Sequence, residues 1–296
     1  MEDLIEIPHH IPARIKNKEN QLIPKCIYQT WKSRKLPLDM HRAVIKTIEL
    51  NPDYDYYFFG DEDCRSYLSK NYPEDYLEAF DDLVPGAFKA DFWRYAVIYK
   101  EGGVYIDVDF DCVKPLDEII QEDDSLILVK DHGIDCCTAI FQAFIASVPN
   151  NGVIKETLEL CFSNLQKKIK GKNALDITGP GMMGKAFNKY TYGKICDIKL
   201  NTGTFIHNNE KYRILIHSLD DSIITDKDGT TLFRTKFATY DEVRSDNYGD
   251  LYRQGQIYRS VPFIPTNTNI NNRLVAFGIV LLIILLILMI AVRNKN

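Results

Sequence analysis

The chain has 296 residues, a net charge of -5 and mixed charges with no basic stripe, which argues against nucleic acid as its main partner. Seven cysteines, an odd number without C-x-x-C spacing, point to reduced structural thiols rather than a zinc site or a disulfide framework. Apart from an apolar C-terminus, about 260 residues remain, enough to bury one α/β core, and no repeat of 20 to 50 residues is visible.

Residues 1–21 form an N-terminal extension whose acidic residues and prolines are unlike a secretion signal. The expected folded domain covers 22–262. "IPKCIYQTW" reads as a short apolar strand running into polar and aromatic residues, and "LDMHRAVIKTIELNP" has helical spacing up to Pro52. "YDYYFFG" is the next strand, and Asp61 is placed to cap the helix "EDCRSYLSKNY". Strands and helices alternate, the pattern of an α/β sheet with its ligand site at the carboxyl ends of the strands.

In "FKADFWRYAVIYKEGG", Phe88, Phe92, Tyr95, Ala96 and Tyr99 share one helical face, with Asp91 and Arg94 a turn apart at its rim. Gly102 and Gly103 supply a left-handed stop. From Val104 to Asp111 apolar residues alternate with Tyr105, Asp107, Asp109 and Asp111, so one strand carrying its acids on one side is predicted. "SLILVKD" is a further strand, "NGVIKETLELCFSNLQKKIK" an amphipathic helix, and "DITGPGMMGKAF" a loop entering a helix with Thr178 as cap and Pro180 in the first turn. A polar linker over 263–273 precedes "LVAFGIVLLIILLILMIAV" at 274–292, roughly 28 Å of helix, read as a single transmembrane anchor with the tail 293–296 beyond it. Basic residues flank the span on both sides, so charge does not orient it. The lack of N-x-[ST] acceptors and the unpaired cysteine count suggest that the domain before the span is cytosolic.

Carboxylates crowded as in "DVDFD" repel one another unless a cation sits among them. Three chemistries use such a run. A nucleotide-sugar transferase holds Mn²⁺ or Mg²⁺ against the leaving diphosphate with two acids at i, i+2. A calcium loop would use Asp107, Asp109, Asp111 and Glu118 at its positions 1, 3, 5 and 12, although Cys112 stands where the loop needs glycine. A phosphotransferase would use the first aspartate as nucleophile after an apolar strand.

The residues resemble the D-x-D sugar transferases of glycosyltransferase family 32. Its motifs are matched in order by "IPKCIYQTWKS", with Tyr28 where histidine is usual, by "NPDYDYYFFGDEDC", by Ala87 to Asp109, and by Thr178, Gly179 and Pro180. The tail "KFATYDEVRSDNYGDLYRQGQIYR" is similar to that of viral-type members, with Asn247 and Tyr252 in place of a histidine and a tryptophan. The resemblance implies a GT-A nucleotide-diphospho-sugar transferase fold, a UDP- or GDP-sugar donor, a glycan, lipid or protein acceptor, and retention at the transferred sugar. It implies catalytic roles for Asp91, Arg94 and Asp107, and donor contacts from Gln29, Thr30, Trp31, Asp91, Arg94, Tyr105 and Asp107. Trp31 would stack on the base, and Asp107 and Asp109 would ligate Mn²⁺ or Mg²⁺.

Overall fold

The computed structural model describes residues 4–15, 21–131, 139–195, 200–218, 222–235 and 247–259. The first half runs β1 (Ile5–Glu6), β2 (His10–Ile11), β3 (Cys26–Thr30), β4 (Lys35–Leu36), α1 (Leu38–Leu50), β5 (Asp55–Phe59), α2 (Asp61–Asn71), α3 (Glu74–Asp82) and α4 (Gly86–Glu101). It continues through β6 (Gly103–Ile106), β7 (Asp111–Cys112), α5 (Leu116–Ile119), β8 (Asp124–Lys130), β9 (Phe144–Ser147) and α6 (Gly152–Gln166). A 3-10 turn at Ala174–Asp176 leads to α7 (Pro180–Tyr192), β10 (Gly203–His207), β11 (Glu210–Ser218), β12 (Ile223–Thr225), β13 (Thr231–Arg234) and α8 (Tyr248–Arg253).

The fold is mixed α/β. Its main sheet runs β2-β5-β3-β6-β9-β8-β11-β12-β13-β7, with β10 added on β11. Strand β3 is parallel to both β5 and β6, β9 is antiparallel to β6 and β8, and β8 is parallel to β11. The carboxyl ends of β5, β3, β6, β8 and β11 therefore lie along one edge of the sheet.

Side-chain alternation on the strands builds two cores. Tyr28, Tyr105, Leu126, Leu128, Ile145, Tyr212 and Ile214 face α2, α3, α4, α6 and α7. Ile27, Tyr56, Phe58, Val104, Ile106, Ile127, Val129 and Leu215 face α1 and α5. The sheet is thus a middle layer buried on both sides, and each fully buried large side chain such as Phe92 contributes about 1.5–3 kcal/mol.

Helix α4 is covered all round rather than on the single face that its stripe predicts. Trp93, Val97 and Ile98 are as buried as Phe92 and Tyr95, because α4 lies against the sheet and is flanked by α2, α3 and α6. Its end is as expected: Gly102 has φ 68° and donates its N–H to the Ile98 carbonyl at 3.0 Å. Gly103 follows at φ 88° in close approach to the Cys26 carbonyl. Two caps differ from expectation. Gly60, not Asp61, caps α2, its N–H donating to the Asp63 carboxylate at 2.9 Å, and Gly179, not Thr178, caps α7.

The predicted linker, anchor and tail, 263–296, lie outside the described residues, as does the domain boundary at 262. Among the described residues no helix is long and apolar enough to cross a membrane. Among the described residues Cys26, Cys64, Cys112 and Cys161 take part in no disulfide.

Candidate active site

Strand β6 ends at Ile106, before the acids begin, so the predicted strand through Asp111 is broken. Asp107 to Phe110 form a turn closed by the Phe110 N–H donating to the Asp107 carbonyl at 3.2 Å. The turn separates the acids. Asp107 and Asp109 sit on it, both half-buried, whereas Asp111 begins β7 and pairs with Lys46 and, at 3.3 Å, with Arg234. Glu118 pairs with Lys114 at 2.9 Å. These partners, and the strand rather than helix before the turn, overturn the calcium-loop arrangement. Among the described residues no group of three or more His, Cys, Asp or Glu side chains is gathered as a metal site.

Asp107 meets α4 instead. Its Oδ1 accepts from the Tyr105 hydroxyl at 2.7 Å and lies 3.2 Å from Arg94 Nη1. Arg94 Nη2 is 3.1 Å from Asp91 Oδ1, Nη1 donates to the Gln142 carbonyl at 2.9 Å, and the guanidinium lies 4.3 Å from the Tyr105 ring centroid. Asp91 and Arg94, expected at the rim of the core, are both buried at 6% and 5% exposure. A buried carboxylate needs donors. Asp91 has them in Arg94, in the Gln142 side-chain amide, and in Thr178 Oγ1 at 2.7 Å. Burial still pushes its pKa up to about 6, against the pull of Arg94, Thr178 and Gln142. The Tyr95 hydroxyl lies between the Gln142 side chain and the Thr178 carbonyl, 2.8 Å from the latter.

Among the residues expected to touch the donor, Gln29 is fully buried and Thr30 nearly so. Gln29 Nε2 donates to the Asp107 carbonyl at 3.2 Å, and its Oε1 accepts from the Tyr56 hydroxyl at 2.5 Å. Thr30 Oγ1 donates to the Phe59 carbonyl at 2.8 Å. Their polar atoms thus serve the protein's interior, because β3 is a central strand. Trp31 stands just past the end of β3, half-buried, with Lys32 Nζ 5.9 Å from its ring centroid. Asn247 caps α8, its side chain accepting from the Gly249 N–H at 2.9 Å.

Three participants escape the sequence reading. Thr178 is read there as a cap and as part of a matched motif, and Tyr56 as part of a strand and of another motif, neither as a hydrogen-bonding partner in the site. Gln142 is not singled out, though a lone amide inside the apolar run "AIFQAFIA" is a signal that a buried polar partner exists.

Residues 37–126 match the family model described as a glycosyltransferase sugar-binding region containing a DXD motif. The motif itself is Asp107-Val108-Asp109. The chain is similar to inositol phosphoceramide mannosyltransferase 3 of Schizosaccharomyces pombe, 34% identical over 40% of this chain and 33% of that protein. A glycosyltransferase of Acanthamoeba polyphaga mimivirus is 26% identical over 63% of this chain and 73% of its own length. The PaToxG glycosyltransferase structure superposes with a TM-score of 0.47 and 24% identity, covering 56% of this chain and 68% of that one. The match thus spans about a third of the length of the first of these relatives.

The DXD turn suits a hard divalent cation. Asp107 uses one oxygen, Oδ1, for both Tyr105 and Arg94, and Asp109 lies two residues on in the same turn. One or two carboxylates completed by phosphate oxygens and water are the usual surroundings of Mg²⁺ in phosphate sites.

Proposed function

We propose that the chain is a GT-A glycosyltransferase that moves a sugar, with retention, from a UDP- or GDP-linked donor to an acceptor hydroxyl. The observation that carries this reading is the buried Asp91–Arg94–Asp107 network, which fixes the DXD turn at the carboxyl ends of parallel strands, where open α/β sheets bind ligands. The likeness to inositol phosphoceramide mannosyltransferase 3 favours mannose as the sugar and an inositol phosphoceramide-like lipid as the acceptor, with a glycan acceptor as the other choice.

In this reading Trp31 stacks on the nucleotide base, and Asp107 and Asp109 would hold Mn²⁺ or Mg²⁺, which supplies positive charge to the departing diphosphate. Arg94 and Tyr105 keep the Asp107 carboxylate in one orientation, while Asp91, ionised at neutral pH, holds Arg94 in turn. The bond from the anomeric carbon to the diphosphate breaks as the acceptor oxygen attacks on the same face, and the acceptor proton passes to the diphosphate. Preorganised charge at the leaving group is the main catalytic effect expected of such a site.

Residues 274–292 would anchor the enzyme, with the catalytic domain on the cytosolic side and a membrane-bound acceptor within reach. Protease treatment of sealed microsomes tests the topology: digestion of the domain supports it, and protection until detergent is added overturns it. The full chain in detergent, incubated with a panel of UDP- and GDP-sugars and Mn²⁺, tests the activity. Release of UDP or GDP from one donor, dependent on the cation, is expected; no release from any donor with Mn²⁺ or Mg²⁺ refutes the reading.

A further inference from the structure

We infer that Gln29 and Tyr56 form a positioning relay that fixes the backbone of the Asp107–Phe110 turn and so sets how its two carboxylates are presented. This rests on the transferase reading for its purpose, but the relay itself is a matter of hydrogen-bond geometry. Strands β3 and β6 pair with Ile27 opposite Val104 and Tyr28 opposite Tyr105. Gln29 is the next residue along, at the level where β6 ends and strand pairing no longer holds the chain. The peptide groups there need other partners. The Asp107 N–H donates to the Ala143 carbonyl at 2.8 Å. Its carbonyl accepts twice, from the Phe110 N–H that closes the turn and from Gln29 Nε2, both at 3.2 Å.

The direction of the Gln29 amide is forced. A carbonyl can only accept, so the NH₂ group must face Asp107, and the amide oxygen then faces Tyr56, whose hydroxyl must donate. Tyr56 lies on β5, opposite Ile27 of β3, and is fully buried. The chain of donors therefore runs Tyr56 to Gln29 to Asp107 across three adjacent strands, with no solvent-exposed member until the turn. A glutamate at 29 when ionised, or an apolar residue, could not make the last bond. Neither Gln29 nor Tyr56 needs to touch the donor: they act through the peptide group between the two carboxylates.

Three variants test this: Gln29→Met, which keeps length and removes both polar ends, Tyr56→Phe, and the pair together. Three measurements are made on each: unfolding in urea, amide exchange at Phe110, and Mn²⁺ uptake in the presence of UDP or of GDP, read by the electron paramagnetic resonance of free Mn²⁺. Gln29→Met is expected to speed Phe110 exchange and weaken Mn²⁺ binding roughly 10- to 100-fold, the usual cost of losing a group that orients a metal ligand. It also strands the Tyr56 hydroxyl in the core. Adding Tyr56→Phe removes that orphan and should restore part of the lost stability while leaving Mn²⁺ binding weak and Phe110 exchange fast. Recovery of stability, exchange and Mn²⁺ binding together would show a merely structural role and overturn the relay, as would unchanged Phe110 exchange in Gln29→Met. If the wild-type chain takes up no Mn²⁺ with either nucleotide, the transferase reading fails, and Phe110 exchange alone still decides the relay.

Discussion

Thr178→Val removes a hydroxyl and almost nothing else. The side chain is fully buried, and its Oγ1 donates to Asp91 Oδ2 at 2.7 Å. A hydrogen bond to a charged group contributes about 1.5–3 kcal/mol, and here the acceptor stays buried when the donor goes. The loss depends on charge. Burial raises Asp91 from the ordinary 3.8 to about 6, so the folded chain holds that proton more tightly than the unfolded chain between those values. Stability from this group is therefore highest when it is protonated and falls as pH rises through about 6. Thr178 opposes the rise, so the valine variant should ionise Asp91 only at higher pH and feel the full loss above it. Urea unfolding at pH 8 and pH 5 measures the difference: destabilisation of about 1.5–3 kcal/mol is expected at pH 8 and less at pH 5. The acid limb of donor turnover should move upward together with it. Equal destabilisation at both pH values, or none at pH 8, would refute the argument.

Asp109→Asn should remove Mn²⁺-dependent donor turnover and leave urea unfolding near wild type, because a half-buried carboxylate on a turn is exchanged for its amide; unchanged metal dependence speaks against ligation. Trp31→Ala is expected to weaken nucleotide binding by about 1–3 kcal/mol, with Trp31→Phe recovering part, as calorimetry with UDP and GDP would show. Gly102→Ala should cost at least about 1–3 kcal/mol in urea unfolding: the position has φ 68°, and a Cβ there would stand 2.7 Å from the Pro149 nitrogen and 2.9 Å from the Ser147 carbonyl oxygen.

Where hydrophobic period alone decides the structure, the sequence is a sufficient guide. Strands β3, β5 and β8 and helices α1 and α6 lie where alternation and helical spacing put them, and Gly102 and Gly103 end α4 as read. The DXD segment is harder, because its alternation continues past the strand: Val108 and Phe110 are buried like strand residues, but they belong to a turn. For α4 the difficulty is reversed. A stripe predicts one buried face, and only the tertiary arrangement shows that Trp93 and the Asp91–Arg94 pair are enclosed as well. The contacts of Asp91 with Gln142 and Thr178 join residues 51 and 87 positions apart, a separation that no local pattern encodes. The same holds for Gln29, whose hydrogen bonds to Asp107 and Tyr56 join residues 78 and 27 positions apart.

The segment from Ala139 to Ala143 ties several parts of the site to one rail. The Ala143 carbonyl receives the Asp107 N–H, the Gln142 carbonyl receives Arg94, the Gln142 side chain meets Asp91 and Tyr95, and the Ile140 N–H donates to the Pro180 carbonyl at the start of α7. The turn, the helix that backs it and the helix that follows Thr178 thus share one length of backbone and cannot be displaced independently. Substitutions made on any two of them should combine non-additively, although the residues are far apart in the chain. A small shift in this rail would be felt by Asp91, Arg94 and Asp107 at once.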